Sequence, residues 1–188
     1  MKKIVLFMHV SLDGYTAGPN GEMDWIGIGD EMFDTAGSQA ERSDVALYGR
    51  GTFEIMEAYW PTAADKPNAS KHDIEHGNWY NKVNKYVASA SMQGQSFSNT
   101  TILSDNIIEQ ITALKQKEGD KQIVMFGSPS LGASLMDHDL IDEYWLFVNP
   151  IILGKGKLLF KPQQNAIRLQ LVENKTFSNG VICLHYIR

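Results

Sequence analysis

Five short apolar runs recur along the chain: Ile4 to Val10, Val45 to Tyr48, Tyr86 to Ala88, Ile123 to Phe126 and Tyr144 to Val148. None has the i, i+3, i+4 spacing of a helix, and each gives way within two residues to Gly, Ser or Pro. Unbroken apolar runs of this length are the mark of strands buried on both faces. Between them lie stretches of helical periodicity. The clearest is Asp105 to Lys117, with Ile107, Ile108, Ile111 and Leu114 on one stripe, Ser104 placed to cap its start and Gly119 to stop it. A second helix is expected from Pro129, with Ser128 as cap and Leu131, Leu135 and Met136 facing inward. A third follows Thr52, with Phe53, Met56 and Trp60 inside and Pro61 as its end, and a weaker one covers Glu31 to Arg42.

Strands alternating with helices predict an α/β fold whose mostly parallel central sheet carries helices on both faces. The tail departs from that rhythm. Arg168 to Val172 and Val181 to Ile187 flank Ser178-Asn179-Gly180, a turn signal for an antiparallel carboxy-terminal strand pair. The polar stretch from Pro61 to Gly77 reads as a long surface loop.

With 188 residues, 43% of them hydrophobic, the chain suits one domain spanning residues 1–188. Its 17 basic against 22 acidic residues give a net charge of −5, which argues against nucleic-acid or anionic-membrane partners. The one cysteine, Cys183, sits in an apolar stretch and reads as a packing residue. No run reaches the roughly 20 apolar residues of a membrane span, and a cytoplasmic protein is expected.

Two strand-to-helix turns carry the chemistry. Gly49-Arg50-Gly51-Thr52 and Gly127-Ser128-Pro129-Ser130-Leu131-Gly132 each follow an apolar run directly. A helix amino terminus offers unpaired N–H groups and about half a positive charge, so phosphate binds there without a basic patch. Arg50 adds a planar charged fork suited to a phosphate monoester. Two such clamps suggest a ligand with phosphates at separated points, as in a dinucleotide, though each also reads as an ordinary capped helix start. Ser89-Ala90-Ser91 supplies a third polar turn on the same sheet edge. Neither a G-x-G-x-x-G fingerprint nor a Walker lysine motif is present.

In order along the chain, these residues resemble a known family. Ser11-Leu12-Asp13-Gly14, Gly49-Arg50-Gly51-Thr52-Phe53-Glu54, Lys85-Tyr86-Val87-Ala88-Ser89, Phe126-Gly127-Ser128 and the run from Ile141 through Asn149-Pro150 to Gly154-Lys155-Gly156 and Phe160 are similar to the dihydrofolate reductase superfamily. Within it the match is to the reductase domain of the bifunctional riboflavin-biosynthesis deaminase/reductase. The resemblance implies an NADPH-dependent reductase, a homodimer, acting on a small heterocyclic substrate such as 5-amino-6-(5-phosphoribosylamino)uracil. It places Arg50, Ser89 and Ser91 at the adenosine 2′-phosphate and Gly49, Gly51 and Thr52 at the phosphates. Gly127, Ser128, Ser130 and Leu131 fall at the pyrophosphate, with His9 and Thr16 near the nicotinamide. The cofactor supplies the hydride, so the protein's remaining tasks are ring placement and a proton donor.

Candidate acids are Asp13, Asp24 and Asp30. Asp30 equally suits the cap of the helix beginning at Glu31, and Asp13 equally suits a turn. Tyr15 stands where the riboflavin enzymes carry a basic residue, which leaves the substrate more open than the cofactor. A dihydrofolate or pterin reductase and a non-catalytic NADPH-binding protein are the alternatives. His72-Asp73-Ile74-Glu75-His76 fits an H-x-x-E-H metal motif, but its Pro/Asn/Ser and Gly77 flanks favour a solvated loop. Among Trp25, Tyr59, Trp60, Trp79 and Tyr80, packing is the expected role for most.

Overall fold

A computed structural model of the chain describes residues 1–161 and 166–188. The five apolar runs are β1 (Ile4–Ser11), β3 (Ser43–Gly49), β4 (Asn84–Ala88), β6 (Gln122–Phe126) and β7 (Glu143–Asn149). Three strands carried no clear signal: β2 (Tyr15–Ala17), β5 (Thr100–Leu103) and β8 (Lys157–Leu158) are too short for a period to register. The tail forms β9 (Gln170–Thr176) and β10 (Ile182–Ile187). Among the described residues the main sheet has eight strands in the order β5-β4-β3-β6-β1-β7-β10-β9. The first six are parallel, and β10 and β9 join antiparallel.

Alternation along β1 divides the core. Ile4, Leu6 and Met8 face a cluster with Leu47, Ile111, Leu135 and Tyr144, so α4 (Ile107–Gln116) and α5 (Pro129–Asp137) cover that face. Val5 and Phe7 face the other, with Met32, Tyr48, Phe53, Tyr80 and Phe147, beneath α1 (Asp30–Glu41), α2 (Arg50–Tyr59) and α3 (Lys71–Tyr80). The covering stops short of one end: all seven residues of β9 are exposed. Cys183 is buried, and burial pushes its thiol up to about 12, which leaves it inert at neutral pH.

Several local readings are corrected. The cap position of α4 is Asn106, at φ 37°, rather than Ser104. Asp30 does not cap α1: Gly29 holds that position and Asp30 is the first helical residue, favourably placed at the positive helix end. Pro61 does not end the α2 region in a loop but starts a 3-10 helix, Trp60–Asp65. The stretch read as a loop is largely helical. Ser70 and Asp73 form a reciprocal capping box that starts α3 despite Gly77. Gly77 is needed there because a side chain would press on the Trp60 carbonyl, 3.2 Å from where its Cβ would stand.

Candidate active site

At the carboxyl ends of the parallel strands the structure opens into a cavity of about 1010 Å³, the usual place for a ligand in an open α/β sheet and the upper end of the usual size for a ligand site. Phe7, Met8 and His9 of β1, Gly49 of β3, Ala88 of β4 and Phe126 of β6 bring strand ends to it. Around the rim stand the first turns of α2 and α5, side chains of α1, α3 and α4, and the loop carrying Asn20, Gly21, Met23, Ile26 and Ile28. Buried Asn149 at the end of β7 fastens this loop, its Oδ1 accepting the Gly27 N–H at 2.8 Å.

The two glycine-bearing turns are not separated points. They lock onto one another: the Gly49 N–H donates to Ser128 Oγ at 2.9 Å, and the Ser128 N–H donates to Thr52 Oγ1 at 2.9 Å. Ser128 therefore does not cap α5 with its side chain but ties α5 to β3, and it does so from the left-handed region, at φ 63°. Gly127 beside it, at φ 73°, leaves 3.2 Å between the position of an added Cβ and Thr52 Cγ2. The result is one continuous edge. The unpaired N–H groups opening α2 and α5, with Ser130 and the fork of Arg50, all line the same cavity. Arg50 is exposed and pairs with Glu54 at 3.1 Å, a surface contact weak enough to exchange for a ligand anion.

The opposite wall has another character. Phe33 stacks on His72 with ring centroids 3.9 Å apart, Trp60 lies 4.2 Å from His76, and His76 lies 5.4 Å from Phe126. Burial drives His76 down to about 3, His9 down to about 4, and His72 below its usual value, so these imidazoles are neutral at physiological pH. Nδ1 of both His9 and His76 lacks a partner. Although His72 and His76 do fall on one helix, no cluster able to hold a metal ion occurs among the described residues. Their neighbours are rings rather than further ligands.

The model of the family described as RibD C-terminal domain matches residues 2–183. This chain belongs to that family. It is 34% identical over 187 residues to the uncharacterized protein YyaP of Bacillus subtilis (strain 168), an alignment covering 98% of this chain and 94% of that one. A crystal structure from Shewanella sp. PV-4, provisionally assigned to riboflavin biosynthesis, superposes with TM-score 0.74 at 21% identity, covering 99% of this chain and 98% of that one. Dihydrofolate reductase from Enterococcus faecalis, complexed with NADP(H) and RAB-propyl, shares the fold at TM-score 0.63 and 15% identity, covering 99% and 96%. The RibD C-terminal domain fold is thus dihydrofolate-reductase-like.

Of the residues singled out from the sequence, His9, Thr16, Gly49, Arg50, Gly51, Thr52, Gly127, Ser128, Ser130 and Leu131 line the cavity of this RibD-type domain. The others lie elsewhere. Ser89 and Ser91 sit behind the rim, their hydroxyls 3.1 Å apart. Asp13 braces a turn: its carboxylate accepts from Ser11 Oγ at 2.7 Å and from the N–H groups of Leu153 and Gly154 at 3.1 and 2.7 Å, which hold its pKa below the ordinary value. Asp30 lines a separate, smaller recess formed with Phe177 and Asn179, and Asp24 is exposed. No carboxylate lines the main cavity among the described residues. Sequence reasoning missed Phe33, Trp60, His72 and His76 as its wall. The capping signal at Ser70 to Asp73 was the clue that would have placed the two histidines on a helix.

Proposed function

We propose that this RibD C-terminal domain binds NADPH along the joined edge of α2 and α5 and transfers its hydride to a small heterocyclic substrate seated against the aromatic wall. The observation that carries this reading is the mutual lock of the two helix starts through Ser128, which sets their free N–H groups around one carboxylate-free cavity. Phosphates suit that edge because the helix ends supply positive potential and the glycines admit close approach. The NADP(H) complex of the related reductase fold supports the cofactor's identity. Arg50 would meet the 2′-phosphate, which distinguishes NADPH from NADH. Here the cofactor supplies the hydride; the chain's own residues hold its phosphates, exclude water with apolar walls and present neutral imidazoles to the acceptor. Asp13 and Asp30, the acids implied by the resemblance, stay candidates for positioning rather than proton transfer, because neither lines the cavity.

Calorimetric titration tests the assignment. NADPH should bind more tightly than NADH, and Arg50→Ala should cost NADPH about 1.5–3 kcal/mol, as expected for a hydrogen bond to a charged group, while leaving NADH nearly unaffected. Equal loss for both nucleotides would move the 2′-phosphate elsewhere. Binding of neither would end the reductase reading.

A further inference from the structure

The cavity divides into two chemistries. Its cationic side chains are Arg50 and Lys157. Arg50 opens α2 on the phosphate edge. Lys157 belongs to β8, beside the rim loop: its carbonyl accepts from Thr16 Oγ1 at 2.9 Å, and its Nζ lies 3.5 Å from where a Cβ on Gly21 would stand. Neither belongs to the helices that build the aromatic wall. That wall presents ring faces and edges together with the sulfur of Met56, and it carries no carboxylate among the described residues.

We propose that the aromatic wall seats a planar, uncharged ring compound bearing neither phosphate nor carboxylate, and that this compound is the hydride acceptor. The proposal rests on the reading of the joined helix edge as the NADPH site. An acceptor carrying a phosphoribosyl group would bury a dianion against Phe33, Trp60 and Phe126 with no cation to meet it, a cost of several kcal/mol. A cationic ring would lack a carboxylate. A neutral conjugated ring meets neither penalty, and stacking against aromatic faces stabilises it. His76 and His9, each with Nδ1 unpartnered, offer one donor and one acceptor apiece to a ring carbonyl or imine. In the reaction, hydride leaves C4 of the dihydronicotinamide and forms a bond to an electrophilic ring atom. The displaced π electron pair moves onto the conjugated oxygen or nitrogen, which takes a proton from water. The products are NADP⁺ and the dihydro ring.

The test uses 1,4-naphthoquinone and its 2-sulfonate, which share a planar acceptor and differ by one fixed anion. With NADP⁺ bound to saturation, checked beforehand by calorimetry, each quinone is titrated while tryptophan fluorescence is followed. The neutral quinone should bind more tightly by at least about tenfold, the sulfonate bearing the cost of an unpaired buried anion. Phe33→Ala should weaken the neutral quinone by at least about fivefold, as expected for lost ring stacking, with NADP⁺ affinity unchanged. Met56→Lys should move the preference toward the sulfonate. Equal or tighter binding of the sulfonate to the unaltered protein, no binding of the neutral quinone, or indifference to both substitutions would overturn the proposal while leaving the cofactor site standing. Failure of NADP⁺ to bind would overturn the cofactor reading first and this one with it.

Discussion

Ser128 shows how much one residue can decide. Its hydroxyl, which the Ser-Pro pair assigned to capping α5, instead accepts from the Gly49 N–H across 79 positions of sequence. A local pattern cannot reveal that a side chain has left its own turn. The same limit explains Asp13, whose carboxylate is taken by the N–H groups of Leu153 and Gly154, and Asp30, displaced from the cap position by Gly29. Sequence showed which residue types stood at the turns; the long-range partners that fix their roles come only with the fold. His76 offers a test at this scale. Its ring is 6% exposed, and burial lowers its pKa from 6.5 to about 3. Above pH 6.5 both folded and unfolded chains keep it neutral, and its contribution to stability is complete. As pH falls below 6.5 the unfolded chain takes up a proton that the folded chain refuses, so stability declines by about 1.4 kcal/mol per pH unit until the folded value is reached. His9, lowered to about 4, adds the same sign between 6.5 and 4. Thermal unfolding followed from pH 7 to pH 4 should therefore show a shallower decline in His76→Phe than in the unaltered protein. An unchanged slope would mean that the imidazole titrates alike in both states.

At the scale of elements, strands were far more legible than the helix that builds the wall. β1, β3, β4, β6 and β7 were readable because each is buried on both faces and composed of little but apolar residues. In α3, by contrast, the sequence Lys71–Tyr80 is polar over most of its length, and it packs through His76, Gly77 and Tyr80 rather than through an aliphatic stripe. Its start depends on Ser70 and Asp73, each accepting the other's backbone N–H, at 3.1 and 2.9 Å, with Tyr59 Oη donating to Asp73 at 2.7 Å. Three hydrogen bonds on one carboxylate hold Asp73 down to about 2. Ser70→Ala should then cost about 0.5–2 kcal/mol of stability, the usual loss for an N-cap serine, read from denaturant unfolding. Because α3 carries His72 and His76 into the cavity, the same variant should also loosen the aromatic wall. A stability change near zero would show that tertiary packing alone holds the helix.

Across the whole molecule, the division of labour follows the sheet. One face, under α4 and α5, is aliphatic core; the other, under α1, α2 and α3, is aromatic and opens at the strand ends into the cavity. The bare β9 end could not be foreseen from the apolar content of Arg168 to Val172, since an edge strand reads like a covered one until its neighbours are known. The central claim is that α2 and α5 form a single phosphate-binding edge of this RibD C-terminal domain. Amide resonances followed during titration with NADPH address it most directly. The account predicts that the largest shifts gather at the N–H groups of residues 50–53 and 127–131, those opening the two locked helices. Shifts confined to the aromatic wall, or to the recess at Asp30 and Asn179, would contradict it.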